Sequence, residues 1–600
     1  MQASCGSNQE AARSNRVGPA RRLRVLAPPE TPGFKPPSFH DVKKGASKEM
    51  VTRIAVVDKE LCNPSKCQHE CIRQCPVNRN GKDCIVLSKD STISVIDESL
   101  CTGCGICIRV CPFHAINIVN LVAPVEDKLA YSYGENSFDL YGFALPKKGI
   151  IGIVGENGCG KSTNVKLITG RLKPTNLYSK ESKAYFDALK KDTAVYKPQE
   201  LGSKIKGKVT ELLKKTDESG RLKELSKLFD LDTLKDRDLS QLSGGELQRV
   251  FIAAALSRDK ESYVLDEPLA FLDYAYRLRL IEYLRENFSD KQVIVVDHDI
   301  SLLSYLCDQV YLNYGVPGAY GIVSQPYATD RAINMFLDGY IEPENVRFRG
   351  EIRYKDHAPE KRSGTAAKIP ALKLKRGSFT LENASEIALH PGEVVGIAGP
   401  NGTGKSTLCN ELAKTLGGVS MKPQILERPD EFVGTFLDRD TPFKESFVRQ
   451  MNLQRLEFLS LRQLSGGELQ KTAIFRCLAN DDASLFVLDE PSNMMDVTGR
   501  IALSKLLREK AVTDGVALLV VDHDLEFLYN TCDRLIIFGG TPAKHGTVDG
   551  IYSKGEGVKN LLSHFDLSYR KDEKSRRLKL NKHGSVKDRE LKESGEFVES

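Results

Sequence analysis

The nine residues Gly155-Glu156-Asn157-Gly158-Cys159-Gly160-Lys161-Ser162-Thr163 decide the fold of most of this chain. They follow an apolar stretch at 150–154 and precede a helical pattern, which is the context that a phosphate-binding loop requires. In such a loop, backbone N–H groups surround phosphate oxygens, a lysine reaches the β- and γ-phosphates and a hydroxyl binds Mg²⁺. The residues predicted to bind a nucleoside triphosphate are Gly155, Asn157, Gly158, Gly160, Lys161, Ser162 and Thr163.

The same loop occurs again 244 residues later, with Lys405 in the place of Lys161. Its nucleotide-binding residues are Gly399, Asn401, Gly402, Gly404, Lys405, Ser406 and Thr407. Leu-Ser-Gly-Gly-Glu-Leu-Gln also occurs twice, at 242–248 and 464–470, and so do Val-Leu-Asp-Glu-Pro and Val-Asp-His-Asp. Such self-similarity indicates two copies of one α/β domain.

The spacing between the copies shrinks from 244 to 225 residues between the phosphate loop and the Lys-Pro-Gln triplet. The second copy has therefore lost nineteen residues in this interval. We expect the loss to remove part of the sheet that flanks the adenine.

Four further positions are shared by both copies and suit hydrolysis of a phosphate bond. An aspartate after an apolar strand can hold hydrated magnesium, and the glutamate that follows it can polarise the attacking water. A glutamine can contact both groups, and a histidine can contact the γ-phosphate and support the glutamate. These residues are Asp266, Glu267, Gln199 and His298 in the first copy and Asp489, Glu490, Gln424 and His523 in the second.

The Leu-Ser-Gly-Gly-Glu-Leu-Gln element begins a helix and offers a second anion site in each copy. Its binding residues are Ser243, Gly244 and Gly245 in the first copy and Ser465, Gly466 and Gly467 in the second. An adenine usually stacks on an aromatic side chain upstream of the phosphate loop. Tyr133 and Phe379 are the predicted platforms, with Phe138 as a second candidate, although each could equally be a core aromatic.

Nine of the 15 cysteines fall between Cys62 and Cys111. Cys101, Cys104, Cys107 and Cys111 form the C-x2-C-x2-C-x3-C-P run of bacterial ferredoxins, and Cys62, Cys67, Cys71 and Cys75 form a looser run of the same kind. The fourth cysteine of such a run usually ligates the other cluster. We therefore predict two [4Fe–4S] clusters, one on Cys62, Cys67, Cys71 and Cys111 and one on Cys101, Cys104, Cys107 and Cys75, with no role for Cys84. Paired zinc sites are the alternative.

Composition narrows the class of protein. The chain has 600 residues, 28% of them charged, and a net charge of +6, which permits a polyanionic partner without requiring one. No stretch approaches the ~20 apolar residues of a membrane-spanning helix, and no signal peptide is evident. We expect no membrane association and a cytoplasmic location.

The duplicated motifs resemble the ATP-binding-cassette (ABC) family. Together with the ferredoxin-type runs they closely resemble ABC subfamily E, the ribosome-recycling ATPases also called the RNase L inhibitor family. The resemblance implies an α/β fold of two tandem nucleotide-binding domains after a small α+β ferredoxin-like domain. It also implies that the Ser243 loop closes on nucleotide held by the second cassette, and the Ser465 loop on nucleotide held by the first.

The resemblance further implies a function and partners. ATP-driven closure of the two cassettes within one monomeric chain would move the iron–sulfur domain and split a terminated ribosome. The partners would be RNA and protein of the small ribosomal subunit, a peptide-release factor or its rescue-factor relative, and translation initiation factors. An ATP-coupled iron–sulfur redox protein is the alternative; a clamp that scarcely hydrolyses ATP is disfavoured because both glutamates and both histidines are present.

The predicted domains follow the motifs. They are a disordered or non-family extension (1–49), the ferredoxin-like domain (50–122), the first cassette (123–313), a hinge (314–365), the second cassette (366–565) and a basic hinge or tail (566–600). The family's first cassette has a helix–loop–helix arm that docks on ribosomal RNA. Only residues 178–189 could supply a helix for it here, so we expect that contact to be reduced.

Overall fold

The computed structural model of the chain describes residues 52–57, 61–88, 93–97, 100–121, 128–134, 137–189, 194–199, 206–344, 346–354, 363–437, 439–563, 565, 567–572, 575 and 577–598. The extension predicted at residues 1–49 lies outside this set, and so does the boundary predicted at residue 122. No helix among the described residues combines the length and apolar character needed to cross a membrane.

A small α+β domain comes first. Its outer strands pair antiparallel and its short helices carry the cysteine runs. The elements are β1 (Thr52–Val57), α1 (Glu70–Gln74), α2 (Pro76–Arg79), β2 (Ile85–Leu87), β3 (Ser94–Ile96), α3 (Ile106–Val110) and β4 (Ile116–Leu121). Four cysteines lie in its core beside Ile85 and Ile96, so the thiols take the place of apolar packing.

The first cassette is a largely parallel sheet with helices on both faces. Its strands are β5 (Leu129–Ser132), β6 (Asp139–Tyr141), β7 (Gly149–Gly155), β8 (Val195–Lys197), β9 (Ser262–Asp266), β10 (Gln292–Val296), β11 (Gln309–Val316), β12 (Tyr320–Val323) and β13 (Tyr327–Ala328). Its helices are α4 (Lys161–Ile168), α5 (Lys180–Leu189), α6 (Val209–Thr216), α7 (Leu222–Leu228), α8 (Gly244–Leu256), α9 (Tyr274–Asn287), α10 (Ile300–Leu306) and α11 (Thr329–Asp338).

A short hairpin, β14 (Tyr340–Ile341) and β15 (Val346–Arg347), leads to the second cassette. The strands there are β16 (Ala367–Ile369), β17 (Leu372–Arg376), β18 (Phe379–Asn383), β19 (Ile387–Leu389), β20 (Val394–Ala398), β21 (Val419–Lys422), β22 (Leu485–Asp489), β23 (Ala517–Val521), β24 (Arg534–Thr541) and β25 (His545–Ser553). The helices are α12 (Lys405–Thr415), α13 (Pro442–Gln450), α14 (Gly466–Leu478), α15 (Val497–Asp514), α16 (Leu525–Thr531) and α17 (Lys554–Ser563).

The two sheets have the same strand order. It is β5-β6-β12-β11-β7-β10-β9-β8 in the first cassette and β17-β18-β25-β24-β20-β23-β22-β21 in the second. The phosphate loops follow the equivalent central strands β7 and β20. The α/β fold of two tandem cassettes after a ferredoxin-like domain is confirmed.

The nineteen-residue deletion does not remove sheet, and that expectation was wrong. The edge strand β21 of the second cassette pairs with β22 as β8 pairs with β9 in the first. What the second cassette lacks is a counterpart of α5, whose Phe186 and Leu189 are buried against the first cassette. A helix on the sheet surface can be lost without breaking strand pairing.

The hinge predicted at 314–365 begins too early. Its first residues continue β11, which pairs with β7, and the chain returns through β12 before it leaves the sheet. Cutting the sheet between 313 and 314 would expose buried strand edges, so the first cassette extends through α11.

The basic C-terminal segment is folded. It forms β26 (Tyr569–Lys571), β27 (Leu578–Leu580) and α18 (Val586–Glu593). Tyr569 Oη lies 2.8 Å from Tyr274 Oη in the first cassette, and Arg577 is almost fully buried beside Asp330. Lys571 Nζ lies over the ring of Tyr529 in the second cassette, at 6.0 Å, so the tail packs against both cassettes.

Candidate active site

Both phosphate loops have the geometry that anion binding needs. Lys161 Nζ donates to the carbonyl oxygens of Gly155 at 2.8 Å and Glu156 at 3.0 Å, which curls the loop around the ammonium. Lys405 Nζ makes the equivalent bonds to Gly399 and Pro400, and burial lowers the pKa of Lys405 to about 8. A phosphate bound in either loop would place negative charge beside these buried ammonium groups.

The Ser465 loop faces the first phosphate loop across a cavity of about 1290 Å³. Among the residues that line it are Tyr133, Phe138, Asn157, Gly158, Gly160, Lys161, Ser162, Thr163, Gln199, Asp266, Glu267, Ser465, Gly466 and Gly467. The Ser243 loop approaches the second phosphate loop in the same way, because an added Cβ at Gly245 would lie 3.6 Å from Asn401 Nδ2. Each candidate ATP site is therefore built from both cassettes.

Two aspartates that the sequence did not single out as site residues connect the cassettes. Asp496 Oδ2 accepts a hydrogen bond of 2.8 Å from Asn157 N, while its Oδ1 accepts from Gly499 N and caps α15. Asp273 Oδ2 likewise accepts from Asn401 N at 3.0 Å and its Oδ1 caps α9. Each carboxylate thus fixes its own helix and the phosphate loop of the other cassette.

In each cassette, the glutamate predicted to act on water lies beside the predicted glutamine and the predicted histidine. Glu267 Oε1 accepts from Gln199 Nε2 at 2.7 Å and lies 3.4 Å from His298 Nε2. The second site repeats this arrangement with Glu490, Gln424 and His523, at 2.7 and 3.5 Å. Both glutamates have positive φ, 46° and 50°, a conformation that costs free energy and is common at active sites.

The charges around each glutamate keep it ionised. Burial opposes ionisation of Glu267, but the hydrogen bond and charge of His298 and the charge of Lys161 outweigh it and lower its pKa. The pKa of Glu490 is lowered in the same way by His523 and Lys405. Burial, followed by the charge of Glu267, raises the pKa of Asp266 to about 6, and burial raises that of Asp489. Bound Mg²⁺ would reverse this effect on the two aspartates.

In each cassette, two buried side chains donate hydrogen bonds to backbone oxygens of the aspartate–glutamate pair. Lys197 Nζ donates to the backbone oxygens of Asp266 and Glu267, at 2.9 and 3.1 Å, and Gln248 Nε2 donates to Glu267 O at 2.8 Å. Lys422 and Gln470 take these places in the second cassette. Their signal was visible in the sequence, because both belong to duplicated motifs, the Lys-Pro-Gln triplet and the last residue of Leu-Ser-Gly-Gly-Glu-Leu-Gln.

The predicted adenine platforms, Tyr133 and Phe379, do not occupy equivalent places. Phe379 lies against Gly404 of the second loop, and its counterpart against Gly160 of the first is Phe138. Tyr133 is half exposed, with its hydroxyl 3.3 Å from Thr163 Oγ1, and is paired across the hairpin with Phe138. Arg376 is paired with Phe379 in the same way, so the second site has Arg376 where the first has Tyr133.

The predicted cluster cysteines separate into two groups. Cys75, Cys84, Cys101, Cys104 and Cys107 line one pocket. Cys62 and Cys71 lie near enough to Cys111 for their charges to interact, and Cys62 does so with Cys67. Among the described residues no three ligand side chains are close enough to hold a single metal ion. Thiols bordering a pocket suit a larger iron–sulfur group, and Cys84 is a fifth thiol at one of them.

The small domain packs against the second cassette. The ring of Phe113 meets that of Phe458 edge to face at 4.7 Å, and Lys66 Nζ lies over Phe432 at 5.8 Å. Val57 lines the cavity of the first ATP site. The small domain therefore borders the composite site.

Comparison with known families agrees with this architecture. The ABC transporter family matches residues 139–270 and 383–420, the Fer4-like domain of RNase L inhibitor matches 52–83, and the 4Fe-4S binding domain matches 94–117. Translation initiation factor RLI1 of Saccharomyces cerevisiae is 35% identical over 599 residues, which cover 91% of this chain and 98% of the relative. The chain belongs to the RNase L inhibitor family, ABC subfamily E.

Other members of the RNase L inhibitor family extend the match. Translation initiation factor rli1 of Schizosaccharomyces pombe is 35% identical over 594 residues, covering 92% of this chain and 99% of the relative. A solved structure of ribosome-bound archaeal Pelota and ABCE1 is 40% identical, with a TM-score of 0.86 over 92% of this chain and 99% of the other. An archaeal ribosome recycling factor in complex with ribosomal stalk protein is 38% identical, with a TM-score of 0.73 over 80% and 100%.

Proposed function

We propose that this chain is an ATP-driven ribosome recycling factor. Closure of the two cassettes on ATP would move the iron–sulfur domain and separate the subunits of a terminated ribosome, and hydrolysis would let the cassettes part. The observation that carries the proposal is the pair of composite ATP sites, each closed by an aspartate of the opposite cassette, Asp496 on Asn157 and Asp273 on Asn401.

The ATPase step follows from residues of this chain. Lys161 and Lys405 would bind the phosphates, with Asp266 and Asp489 beside Mg²⁺, which would neutralise charge on the phosphates. Glu267 and Glu490, held ionised by their histidines, would polarise the attacking water. The Ser243 and Ser465 loops would complete each site only when the cassettes meet, so hydrolysis would be coupled to closure.

Closure would reach the ribosome through the iron–sulfur domain. That domain packs on the second cassette through Phe113 and Phe458, and its Val57 borders the first ATP site. Moving the second cassette relative to the first phosphate loop would therefore displace the iron–sulfur domain. Two [4Fe–4S] clusters, on the two groups of cysteines predicted above, would make this lever rigid.

The names of the relatives suggest the partners. We infer binding to RNA and protein of the small ribosomal subunit, to a peptide-release factor or its Pelota-like rescue relative, and to initiation factors, in the cytoplasm. The helix α5 is packed against its own cassette through Phe186 and through Tyr185, whose hydroxyl donates to Ile168 O at 2.6 Å. It cannot act as a free arm without breaking this packing, so other surfaces must carry most of the ribosome contact.

Gradient co-sedimentation with ribosomes tests the proposal. Glu267→Gln/Glu490→Gln should stay with the small subunit in ATP, whereas the wild type should stay there only with a non-hydrolysable analogue. Glu509→Gln, at an exposed site on α15, is the matched control and should behave as the wild type. A protein that remains at the top of the gradient in every nucleotide state would overturn the proposal, and an ATP-dependent change in cluster reduction would then favour the redox alternative.

A further inference from the structure

The first phosphate loop has an ionic connection that the second loop lacks. Glu156 Oε1 lies 2.8 Å from Arg349 Nε, beyond the end of the first cassette, and accepts a hydrogen bond of 3.1 Å from Thr498 Oγ1 in the second cassette. One carboxylate oxygen therefore joins three parts of the molecule, the phosphate loop, the segment between the cassettes and the opposite cassette.

Arg349 is held in place by its surroundings. Its guanidinium lies over the rings of Phe336, at 4.6 Å, and Phe348, at 5.3 Å. It also donates to the backbone oxygens of Phe336, of Leu337 at 3.4 Å and of Gly350 at 3.0 Å. A planar cation fixed by stacking and by carbonyl oxygens cannot follow Glu156 if the loop moves, so the ion pair reports the position of the loop relative to the hinge.

Thr498 belongs to the same helix start as Asp496. Asp496 accepts from Asn157 N, and Thr498 donates to the neighbouring Glu156, so two consecutive residues of the first loop are bound by the first turn of α15. The second loop keeps only the first of these bonds, from Asn401 N to Asp273. At the position of Glu156 it has Pro400, and at the position of Thr498 the first cassette has Ala275, neither of which can form the second bond.

Charge explains why the carboxylate needs its partner. Glu156 and Asp496 place two negative charges beside a loop that must accept the polyphosphate of ATP. Lys471 and Lys161 offset the charge of Asp496, whereas Glu156 is paired with Arg349. Arg349 is 13% exposed and Glu156 21% exposed, so water screens the pair only in part. Without Arg349, the carboxylate would repel the nucleotide.

We propose that Glu156 is a positioning residue that makes the two ATP sites unequal. With Arg349 and Thr498 it locks the first phosphate loop to the hinge and to the second cassette, so that nucleotide leaves the first site more slowly than the second. The proposal rests on the ATP sites proposed above and adds that their release rates differ because of this carboxylate.

Nucleotide release from the full chain tests it. In the Glu267→Gln/Glu490→Gln background, which removes hydrolysis, fluorescent ATP should dissociate in two phases. Glu156→Gln should accelerate the slow phase alone, by about tenfold, the scale expected when a partly buried charged hydrogen bond is lost. Thr498→Ala should accelerate the same phase less.

A double variant separates charge from packing. Arg349→Met should weaken ATP binding at the first site more than Glu156→Gln does, because it leaves the carboxylate unpaired, and adding Glu156→Gln to Arg349→Met should restore part of the affinity. Arg353→Met, at an exposed arginine paired with Asp338, is the matched control and should change neither phase.

Each outcome decides the question. The inference would be overturned if the losses of ATP affinity caused by Arg349→Met and Glu156→Gln simply added in the double variant. Equal rates of nucleotide release from both sites in the Glu267→Gln/Glu490→Gln background would overturn it as well. Either result would leave two ATP sites in place. Binding of fewer than two nucleotides by the parent protein would instead count against the proposed ATP sites themselves.

Discussion

Ser301 Oγ of the first cassette lies 2.7 Å from Glu526 Oε2 of the second and 2.6 Å from Leu578 O of the tail. A hydroxyl has one hydrogen, so it can donate to only one of these two oxygens. The other hydrogen bond requires a proton on the Glu526 carboxyl. The contact thus joins both cassettes and the tail through a carboxyl group that is neutral in this arrangement.

The surroundings of Glu526 favour the same protonated form. Burial, then the charges of Asp524 and Asp299, raise its pKa to about 8, while the charge of Arg577 acts against this. Tyr354, which is partly buried, and Tyr569, which is buried, also lie close enough to interact with the charge of this carboxyl group.

We predict that Glu526 makes stability fall as pH rises. The folded protein keeps a proton that the unfolded chain loses near the ordinary pKa of 4.5, so the contribution is complete below that pH and is lost as pH rises towards about 8. The slope is up to about 1.4 kcal/mol per pH unit. Glu526→Gln should remove this pH dependence. The melting temperature of the variant should therefore exceed that of the wild type by more at pH 8 than at pH 6.

Glu509→Gln is the control for this pH dependence, since its exposed carboxylate should leave the slope unchanged. A Glu526→Gln variant whose melting temperature follows the wild type at every pH would show that Glu526 is ionised in the folded protein.

A second prediction concerns Asp273 and Asp496. Serine is a good N-cap but is too short to reach the opposite phosphate loop, so Asp273→Ser and Asp496→Ser should keep their helices and lose the bonds to Asn401 and Asn157. We expect ATP-dependent closure to need about tenfold more ATP for each, since a charge-assisted bond contributes about 1.5–3 kcal/mol. Distance measurement between fluorophores on the two cassettes would show this.

Asp238→Ser is the matched control, because Asp238 caps an exposed turn and contacts no phosphate loop. Unchanged closure in Asp273→Ser, with a lowered melting temperature, would mean that this carboxylate serves its helix alone.

Much of this architecture could be predicted from the duplicated motifs. Apart from Leu-Ser-Gly-Gly-Glu-Leu-Gln, which begins a helix, each motif occurs at a strand end of a parallel sheet, and parallel strands bring their carboxyl ends to one edge. That rule places Glu267, Gln199 and His298 together although 99 residues separate the last two. The same rule applies to the second copy, so both sites follow from one argument.

The contacts between the copies could not be predicted in this way. Asp273 follows the motif of its own cassette, but its partner Asn401 is 128 residues away, and nothing in local sequence pairs them. The unequal places of Tyr133 and Phe379 have a different cause. Four residues of sequence separate Tyr133 from Phe138, whereas Gly377 and Ser378 alone separate Arg376 from Phe379.

A third prediction tests the two groups of cysteines. Cys75→Ser and Cys104→Ser should each remove the same cluster, or about four of about eight irons. The double variant should lose no more than either alone, whereas Cys75→Ser/Cys111→Ser should lose all of the iron. Iron analysis and electron paramagnetic resonance of the reduced protein would measure this.

Cys84→Ser is the control, because the ligand set predicted from the sequence leaves that thiol out. A loss of four irons in Cys84→Ser, with full iron in Cys75→Ser, would exchange the roles of these two cysteines.

The last prediction concerns the contact between Phe113 and Phe458. Phe458 is 43% exposed and its removal should leave the second cassette folded, whereas Phe113 is 5% exposed and packs in an apolar cluster that includes residues of both cassettes. An edge-to-face pair contributes about 0.5–1.5 kcal/mol beyond burial, so Phe458→Ala should increase undocking of the iron–sulfur domain about two- to tenfold. Hydrogen exchange across α1 and α3 would report this undocking, with Val512→Ala, at an exposed position of α15, as the control. If the lever is transmitted through this contact, Phe458→Ala should keep ATP hydrolysis and lose ribosome splitting. A variant that splits ribosomes normally while its iron–sulfur domain exchanges faster would place the transmission elsewhere.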